Sequence, residues 1–209
     1  MAAFADAIEP VQDLGGAVSF PTGYGVEEAG QTFVEGTPVE FLTAGDGGLA
    51  VWDGTTLTSA IAGFAAENAN NLGSLGAGLP GPFTPITGPG SVIGNYAANP
   101  NQPLALITPP MTPISDGYIR FIIGAPTTRF IAKLGTSATV TPVATALTQV
   151  GVAYGLTKDS GNSYWYVDTN KTGGSAAVRI VGLSPLEATG TVGGHVIFVV
   201  LNAVAQIFA

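Results

Sequence analysis

The sequence predicts a mainly β protein. We expect a small β-barrel or meander element and a larger β-rich C-terminal region with one short helix, joined by an extended Pro/Gly-rich segment. Short runs rich in Val, Ile, Phe and Tyr recur along the chain, as is typical of half-buried strands. The 30 glycines and 15 prolines interrupt most windows that are long enough for a helix. Nine of those prolines fall between residues 73 and 113, and they divide the strand-like runs into two groups.

The N-terminal part of the chain divides into an arm and a small β element. Residues 1–36 are polar and acidic, and repeated glycines exclude a long helix, so we expect an extended N-terminal arm. Residues 37–72 are expected to form the small β element, with strand-like runs at residues 38–43, 49–52 and 60–66. Asp53-Gly54 separates the last two runs and predicts a hairpin, because glycine accepts the positive φ of a tight turn.

Residues 73–113 are predicted to form an extended strap. Proline cannot donate a backbone hydrogen bond, so the nine prolines exclude a helix or a central strand here. A flexible linker is usually polar, whereas this segment carries large apolar side chains that indicate burial on a surface, either of its own domain or of a neighbouring chain. We predict that six residues bind a partner: Phe83, Ile86, Val92, Leu104 and Ile107 in the strap, and Trp52 in the small β element.

Residues 114–209 are predicted to form the β-rich C-terminal domain. Its strand-like runs lie at residues 118–123, 130–134, 164–168, 176–181 and 195–201. One short helix is predicted at residues 142–150, since Thr141 suits the N-cap, Pro142 suits the first turn and Gly151 suits the end.

The end of the chain holds two further signals. Ser184 and Glu187 have the spacing of a capping box and predict a second helical turn. The apolar stretch 196–209 is interrupted by Asn202 and Gln206, and it is shorter than the roughly 20 residues that span a bilayer. We therefore expect a buried strand there and no membrane partner.

Charged residues are few and unevenly distributed. They make up 10% of the chain, against roughly 25% in an average soluble domain. Permanent assembly is therefore expected to cover the uncharged surface, and a well-packed extracellular β-protein is the alternative. Residues 1–119 carry eleven acids and no base, whereas residues 120–209 carry six bases and three acids. An acidic half repels phosphate groups and six scattered bases form no stripe, which argues against nucleic-acid binding. An acidic-to-basic contact between subunits and a merely solvated acidic face both stay open.

Neither a disulfide framework nor secretion is expected. The chain has no cysteine, which excludes disulfides, thiolate metal sites and a cysteine nucleophile. Residues 1–10 contain Asp6 and Glu9 but no Lys or Arg, so they lack the positive start of a signal peptide. We expect synthesis in a cytoplasm.

The candidate catalytic residues have no supporting motif. His195 is the single histidine, and no Gly-x-Ser-x-Gly motif accompanies it, so a strand-edge or interface histidine is favoured. Asp159-Ser160-Gly161 matches the aspartic-protease triplet, but the Asn and Ser that follow it are typical of a turn between strands. Glycine-rich phosphate-binding motifs do not occur. The sequence predicts no enzyme, no cofactor and no metal.

Residues 164–166 form an aromatic triplet, Tyr-Trp-Tyr. Consecutive residues of a strand point to opposite faces, so Tyr164 and Tyr166 are expected on one face and Trp165 on the other. Packing in the core and at an interface is favoured, and a carbohydrate-binding surface is the alternative.

Two groups of motifs resemble the head decoration (cement) proteins of tailed bacteriophages. The first is similar to their small β element and comprises Gly-Thr-Pro-Val at 36–39, Leu-Ala-Val-Trp-Asp-Gly at 49–54 and the Ala-Ile-Ala-Gly strand within 60–68. The second is similar to the C-terminal region of the larger members and comprises residues 154–159, 165–168, 178–183 and 194–198. The proline-rich strap departs from the smallest members.

The resemblance implies a β-rich fold, frequent trimerisation and attachment to the outer face of the capsid. We therefore expect a structural protein of the virion exterior, made in the host cytoplasm, whose partners are the major capsid protein and copies of itself in a homotrimer. The alternative is a virion surface or fibre module that binds host glycans through Trp52 or the aromatic triplet.

Overall fold

The computed structural model of the protein describes residues 5–11, 20–28, 31, 33–42, 48–54, 60–69, 118–137 and 141–206. Of these described residues, 45% lie in strands and 5% in helical turns, and no helix among them reaches seven residues. The predicted mainly β class is confirmed. Within the same ranges no helix has the length and hydropathy of a membrane span.

The strands follow the runs of β-branched and aromatic residues. In chain order, the described strands β1 to β12 span Glu9–Pro10, Thr22–Val26, Pro38–Phe41, Leu49–Val51, Gly63–Ala65, Tyr118–Ile123, Phe130–Thr136, Thr141–Pro142, Ala153–Lys158, Trp165–Asp168, Val178–Leu183 and His195–Val200. The five runs predicted in the C-terminal region correspond to β6, β7, β10, β11 and β12. β9 was not predicted, because its sequence contains Ala, Gly and Lys, which are uncommon in strands.

Five strands close into a barrel. From β7 the order runs through β10, β9, β11 and β12 and returns to β7, and the β7–β10 pair is parallel while the other pairs are antiparallel. Along β12, Val196, Phe198 and Val200 are buried, whereas the residues between them are half-buried. This period of two fills the barrel with apolar side chains. β1 and β8 extend the sheet by pairing with β7.

The remaining described strands form a second sheet in the order β2-β6-β5-β3-β4. A parallel bridge between Glu27 and Leu49 joins its two outer strands. The hairpin predicted at Asp53-Gly54 is wrong, because β4 and β5 lie on opposite sides of β3. Gly54 does have a positive φ of 70°, but the chain turns there against the ring of Trp165 in the barrel.

One hydrophobic cluster joins the barrel to the second sheet through Phe64, and a separate cluster that includes Val39 and Phe121 lies within the second sheet. Phe64 of β5 packs against Phe130 of β7, with ring centroids 4.3 Å apart, and against Phe198 of β12 at 5.9 Å. Burying a large apolar side chain contributes about 1.5–3 kcal/mol, so these contacts stabilise the association of the two sheets.

Strand pairing crosses the boundaries of the predicted segments. β1 and β2 belong to the arm at 1–36, yet β1 pairs with β7 and β2 pairs with β6, both from the predicted C-terminal domain. The strap at 73–113 lies outside the described residues.

The helical signals produce only short turns. The helix predicted at 142–150 is reduced to a three-residue 3₁₀ turn at Leu147–Gln149. The residues before this turn are not helical because they pair with β7 in β8 and then with the 184–194 connection. The helical turn predicted at Ser184 is a hydrogen-bonded turn instead. Its capping-box partner Glu187 binds His195 with its carboxylate, so that carboxylate does not cap a helix.

Candidate partner-binding surface

Two connections meet at one end of the barrel. Residues 143–152 join β8 to β9, and residues 184–194 join β11 to β12. They are held together by backbone hydrogen bonds from Thr145 N to Thr191 O (3.1 Å), from Gly190 N to Thr145 O (2.8 Å) and from Gly193 N to Val143 O (2.9 Å). The two connections therefore form a single surface.

Most exposed large apolar side chains of the described residues lie on this surface. Leu186 is 90% exposed, Leu147 72% and Val192 68%, while Val150, Val152 and Val181 are 37–41% exposed. Val181 lies on β11 beside the first connection, since the backbone N–H of Gly151 donates to the carbonyl of Ile180. Among the described residues, Tyr24 on β2 is the one further exposed large apolar residue. We call the six aliphatic residues the aliphatic end.

The two connections that form the aliphatic end are nearly uncharged. Residues 134–157 contain no charged residue, and residues 184–194 contain Glu187 alone. Scattered exposed apolar residues are normal, but several of them grouped at one end of a fold indicate an interaction surface. This end of the barrel therefore has the chemistry of a protein-binding surface.

Backbone geometry holds the aliphatic side chains outward. Gly193 has a φ of 67° and packs against Pro142, and this left-handed conformation suits glycine. Thr145 is buried between the two connections and its hydroxyl accepts from Gly190 N. The 3₁₀ turn then places Leu147 on the outside.

A row of charged side chains borders the 184–194 connection. His195 Nδ1 lies 2.7 Å from Glu187 Oε1, and His195 Nε2 lies 3.0 Å from Asp6 Oδ2. The His195 backbone N–H donates to Glu187 Oε2 at 2.6 Å, and Lys133 Nζ lies 3.3 Å from Asp6 Oδ2. We call Asp6, Lys133, His195 and Glu187 the ion row.

The contacts of the ion row shift two pKa values. Burial by itself lowers the pKa of His195, but the hydrogen bonds to Glu187 and Asp6 outweigh burial and raise it above its ordinary value. The His195 backbone N–H lowers the pKa of Glu187, against the opposing effect of burial. Both shifts favour the charged pair.

The structure places Trp52 in the core and not on a partner-facing surface. Its indole is 4% exposed and packs against Trp165. The other five predicted partner-binding residues, Phe83, Ile86, Val92, Leu104 and Ile107, lie outside the described residues.

The other candidate residues are engaged inside the fold. Trp165 and Tyr166 are both buried, since all four residues of β10 are buried and neither face of this strand is exposed. Asp159 is buried in the β9–β10 turn, where its carboxylate accepts from the backbone of Ala5 at 3.1 Å and Gly161 at 2.8 Å. The turn predicted at this triplet is therefore present, and Ser163 has a positive φ of 69° within it.

Sequence reasoning missed the aliphatic end. The available signal was the absence of charge between Lys133 and Lys158, in a stretch that includes a connection between strands. The helix predicted at 142–150 includes Leu147, and an apolar residue of a helix is expected to face the core. The helical turn predicted at Ser184 includes Leu186, and the same expectation applies to it.

The chain matches no protein-family model, and no curated protein and no solved structure is significantly similar to it. Within the described ranges, no group of three or more His, Cys, Asp and Glu side chains is arranged to hold a metal ion.

Proposed function

We propose that the protein is a phage head decoration protein, which binds the outer face of the capsid and stabilises the shell. The observation that supports this most directly is the aliphatic end, an exposed surface at one end of the barrel whose two connections carry almost no charge. The motif resemblance supports the same proposal. The partner at this surface is then the major capsid protein, and the protein resides on the exterior of the virion.

The energetics of the aliphatic end favour a protein partner. Leu147, Leu186 and Val192 are each more than two-thirds exposed, and covering such a side chain contributes about 1.5–3 kcal/mol before ordering costs. The loops are cross-linked by backbone hydrogen bonds, so little further ordering is required on binding.

Assembly into a trimer strengthens attachment. We propose that three copies associate, as the low charge of the chain favours. Three linked surfaces bind one lattice with higher avidity than a single copy. Light scattering on the purified protein measures this state, and a clean monomer at micromolar concentration contradicts it.

The glycan-binding alternative has less support. It requires aromatic rings on the surface to stack on sugars, whereas three of its four candidate residues, Trp52, Trp165 and Tyr166, are buried. The fourth candidate, Tyr164, is half-buried.

Thermal rupture of capsids tests the decoration function. A protein that binds the assembled shell but not its dissociated subunits raises the stability of the shell by mass action. Decorated particles are expected to release their DNA at a higher temperature than stripped particles, and adding back purified protein restores that temperature. Rupture at the same temperature in both states rejects the function.

A further inference from the structure

The ion row joins three parts of the chain that are far apart in sequence. Asp6 belongs to the N-terminal segment, Lys133 and His195 belong to neighbouring barrel strands, and Glu187 lies in the connection that carries Leu186. A change at His195 therefore acts on the N-terminal segment and on the aliphatic end together.

Only a doubly protonated imidazole satisfies both contacts of His195. Its two ring nitrogens face carboxylate oxygens, Glu187 Oε1 at 2.7 Å and Asp6 Oδ2 at 3.0 Å. The imidazolium donates from both nitrogens, whereas neutral imidazole has one N–H and one lone pair. In the neutral form, one of the two nitrogens presents its lone pair to a carboxylate, which is repulsive.

The N-terminal segment, residues 5–11, depends on a small set of anchors. Two residues of it pair with β7, Val11 N donates to Arg129 O, and Ile8 is buried. The backbone of Ala5 binds the side chains of Asp159 and Asn162. The Asp6 carboxylate is the charged anchor of this segment, and His195 and Lys133 bind it from the barrel.

We propose that the ion row is a protonation-dependent latch, which in its charged form holds the N-terminal segment on the barrel and restrains the 184–194 connection. Loss of the His195 proton loosens both. The consequence for capsid binding through Leu186 and Val192 rests on the proposed function, whereas the latch itself is a property of the isolated protein.

The direction of the pH response follows from the shifted pKa values. Because the folded protein raises the pKa of His195, the latch is closed below the ordinary value of about 6.5 and opens as the pH rises through the folded pKa. Lys133, also facing Asp6, keeps part of the attachment at high pH. At the acidic limit, the latch is lost as the pH falls through the lowered pKa of Glu187.

A nuclear magnetic resonance titration tests the latch directly, because His195 is the single histidine and its ring signals are unambiguous. We expect the ring to titrate with a midpoint above about 6.5 in the full chain. Backbone amide signals of Asp6, Ile8 and Leu186 are expected to shift with the same midpoint. Asp6→Asn lowers the midpoint, whereas Glu35→Gln, which removes one exposed carboxylate elsewhere, leaves it unchanged.

Two results overturn the latch: a ring midpoint at or below the ordinary value, or amide signals of the two segments that do not follow the ring. Cosedimentation with stripped capsids at pH values on either side of the midpoint then separates the two proposals. Regulation of the aliphatic end is supported if binding is weaker above the midpoint and if this pH dependence is lost in His195→Gln. Equal binding on both sides contradicts that regulation, and no binding at any pH rejects the decoration function while the titration still decides the latch.

Discussion

The indole of Trp52 packs against the indole of Trp165, with ring centroids 5.8 Å apart and ring planes at 42°. Trp52 follows β4 of the second sheet, and Trp165 begins β10 of the barrel. The contact therefore joins the two sheets, and it assigns both tryptophans to stability rather than to a partner.

Replacing Trp52 is expected to destabilise the fold strongly. Trp52→Ala removes a buried aromatic side chain and leaves a cavity between the sheets, which costs about 3–5 kcal/mol of unfolding free energy. Urea denaturation followed by circular dichroism measures this loss. Tyr24→Ala, at an exposed aromatic position, is the control and changes the free energy by less than about 0.5 kcal/mol. Similar losses in both variants contradict the assigned role of Trp52.

Gly36 is expected to tolerate alanine less well than Gly151. Both have a positive φ, 80° and 88°, so alanine costs about 1–2 kcal/mol at either position. At Gly36 the added Cβ also meets the backbone nitrogen of Ile8, whereas nothing lies within 4 Å at Gly151. We expect Gly36→Ala to cost a further 1–3 kcal/mol or so in denaturant titrations. Equal costs contradict close packing of the N-terminal segment on Gly36.

Stability is expected to fall as the pH rises through the folded pKa of His195. The folded state holds this proton more tightly than the unfolded state, so the unfolded state binds fewer protons in this range and the free energy of unfolding decreases with pH. The chain has no cysteine and no second histidine, which leaves few other groups to titrate there. Denaturation curves collected from pH 6 to pH 9 or thereabouts measure the decline. His195→Gln is expected to remove it, and an unchanged slope in that variant assigns the decline to another group.

Lys171 is expected to contribute more to stability than its charge suggests. Its ammonium donates to the carbonyls of Gly54 and Leu156, each at 2.9 Å, and burial lowers its pKa. Lys171→Met leaves both carbonyls without this donor and is expected to cost about 1–3 kcal/mol. The exposed Lys158 on β9 offers a matched control, since Lys158→Met changes stability by less than about 0.5 kcal/mol. The account of Lys171 fails if the two variants unfold at the same denaturant concentration.

The fold class could be predicted from local patterns, but the pairing of strands could not. Runs such as residues 195–201 are rich in β-branched residues, and such a pattern identifies a strand without reference to the rest of the chain. Asp53-Gly54 predicted a hairpin from the same local reasoning, yet β3 separates the two strands that it connects. Which strands become neighbours depends on contacts between distant segments, and a turn signal does not report on them.

The aliphatic end was harder to predict than the core. Trp52 is a large aromatic residue in a short apolar run, and this composition suits an interface as well as a core. Leu186 and Val192 lie in the 184–194 connection. Hydrogen bonds that join Thr145 to Thr191 and Gly190 hold this connection in place, with both side chains outward. Whether these side chains are exposed depends on the tertiary structure. Only the uncharged stretch around Leu147 could have indicated it from the sequence.

Binding of the double variant Leu186→Asp, Val192→Asp to stripped capsids tests the central claim most directly. Both residues are more than two-thirds exposed, so the variant is expected to fold like the wild type, which urea denaturation checks. Loss of two apolar contacts of about 1.5–3 kcal/mol each weakens attachment by at least about 100-fold, measured by quantitative cosedimentation. Tyr24→Asp, at the exposed position outside the aliphatic end, is expected to bind like the wild type. Wild-type affinity in the double variant would contradict the claim that the aliphatic end attaches the protein to the shell.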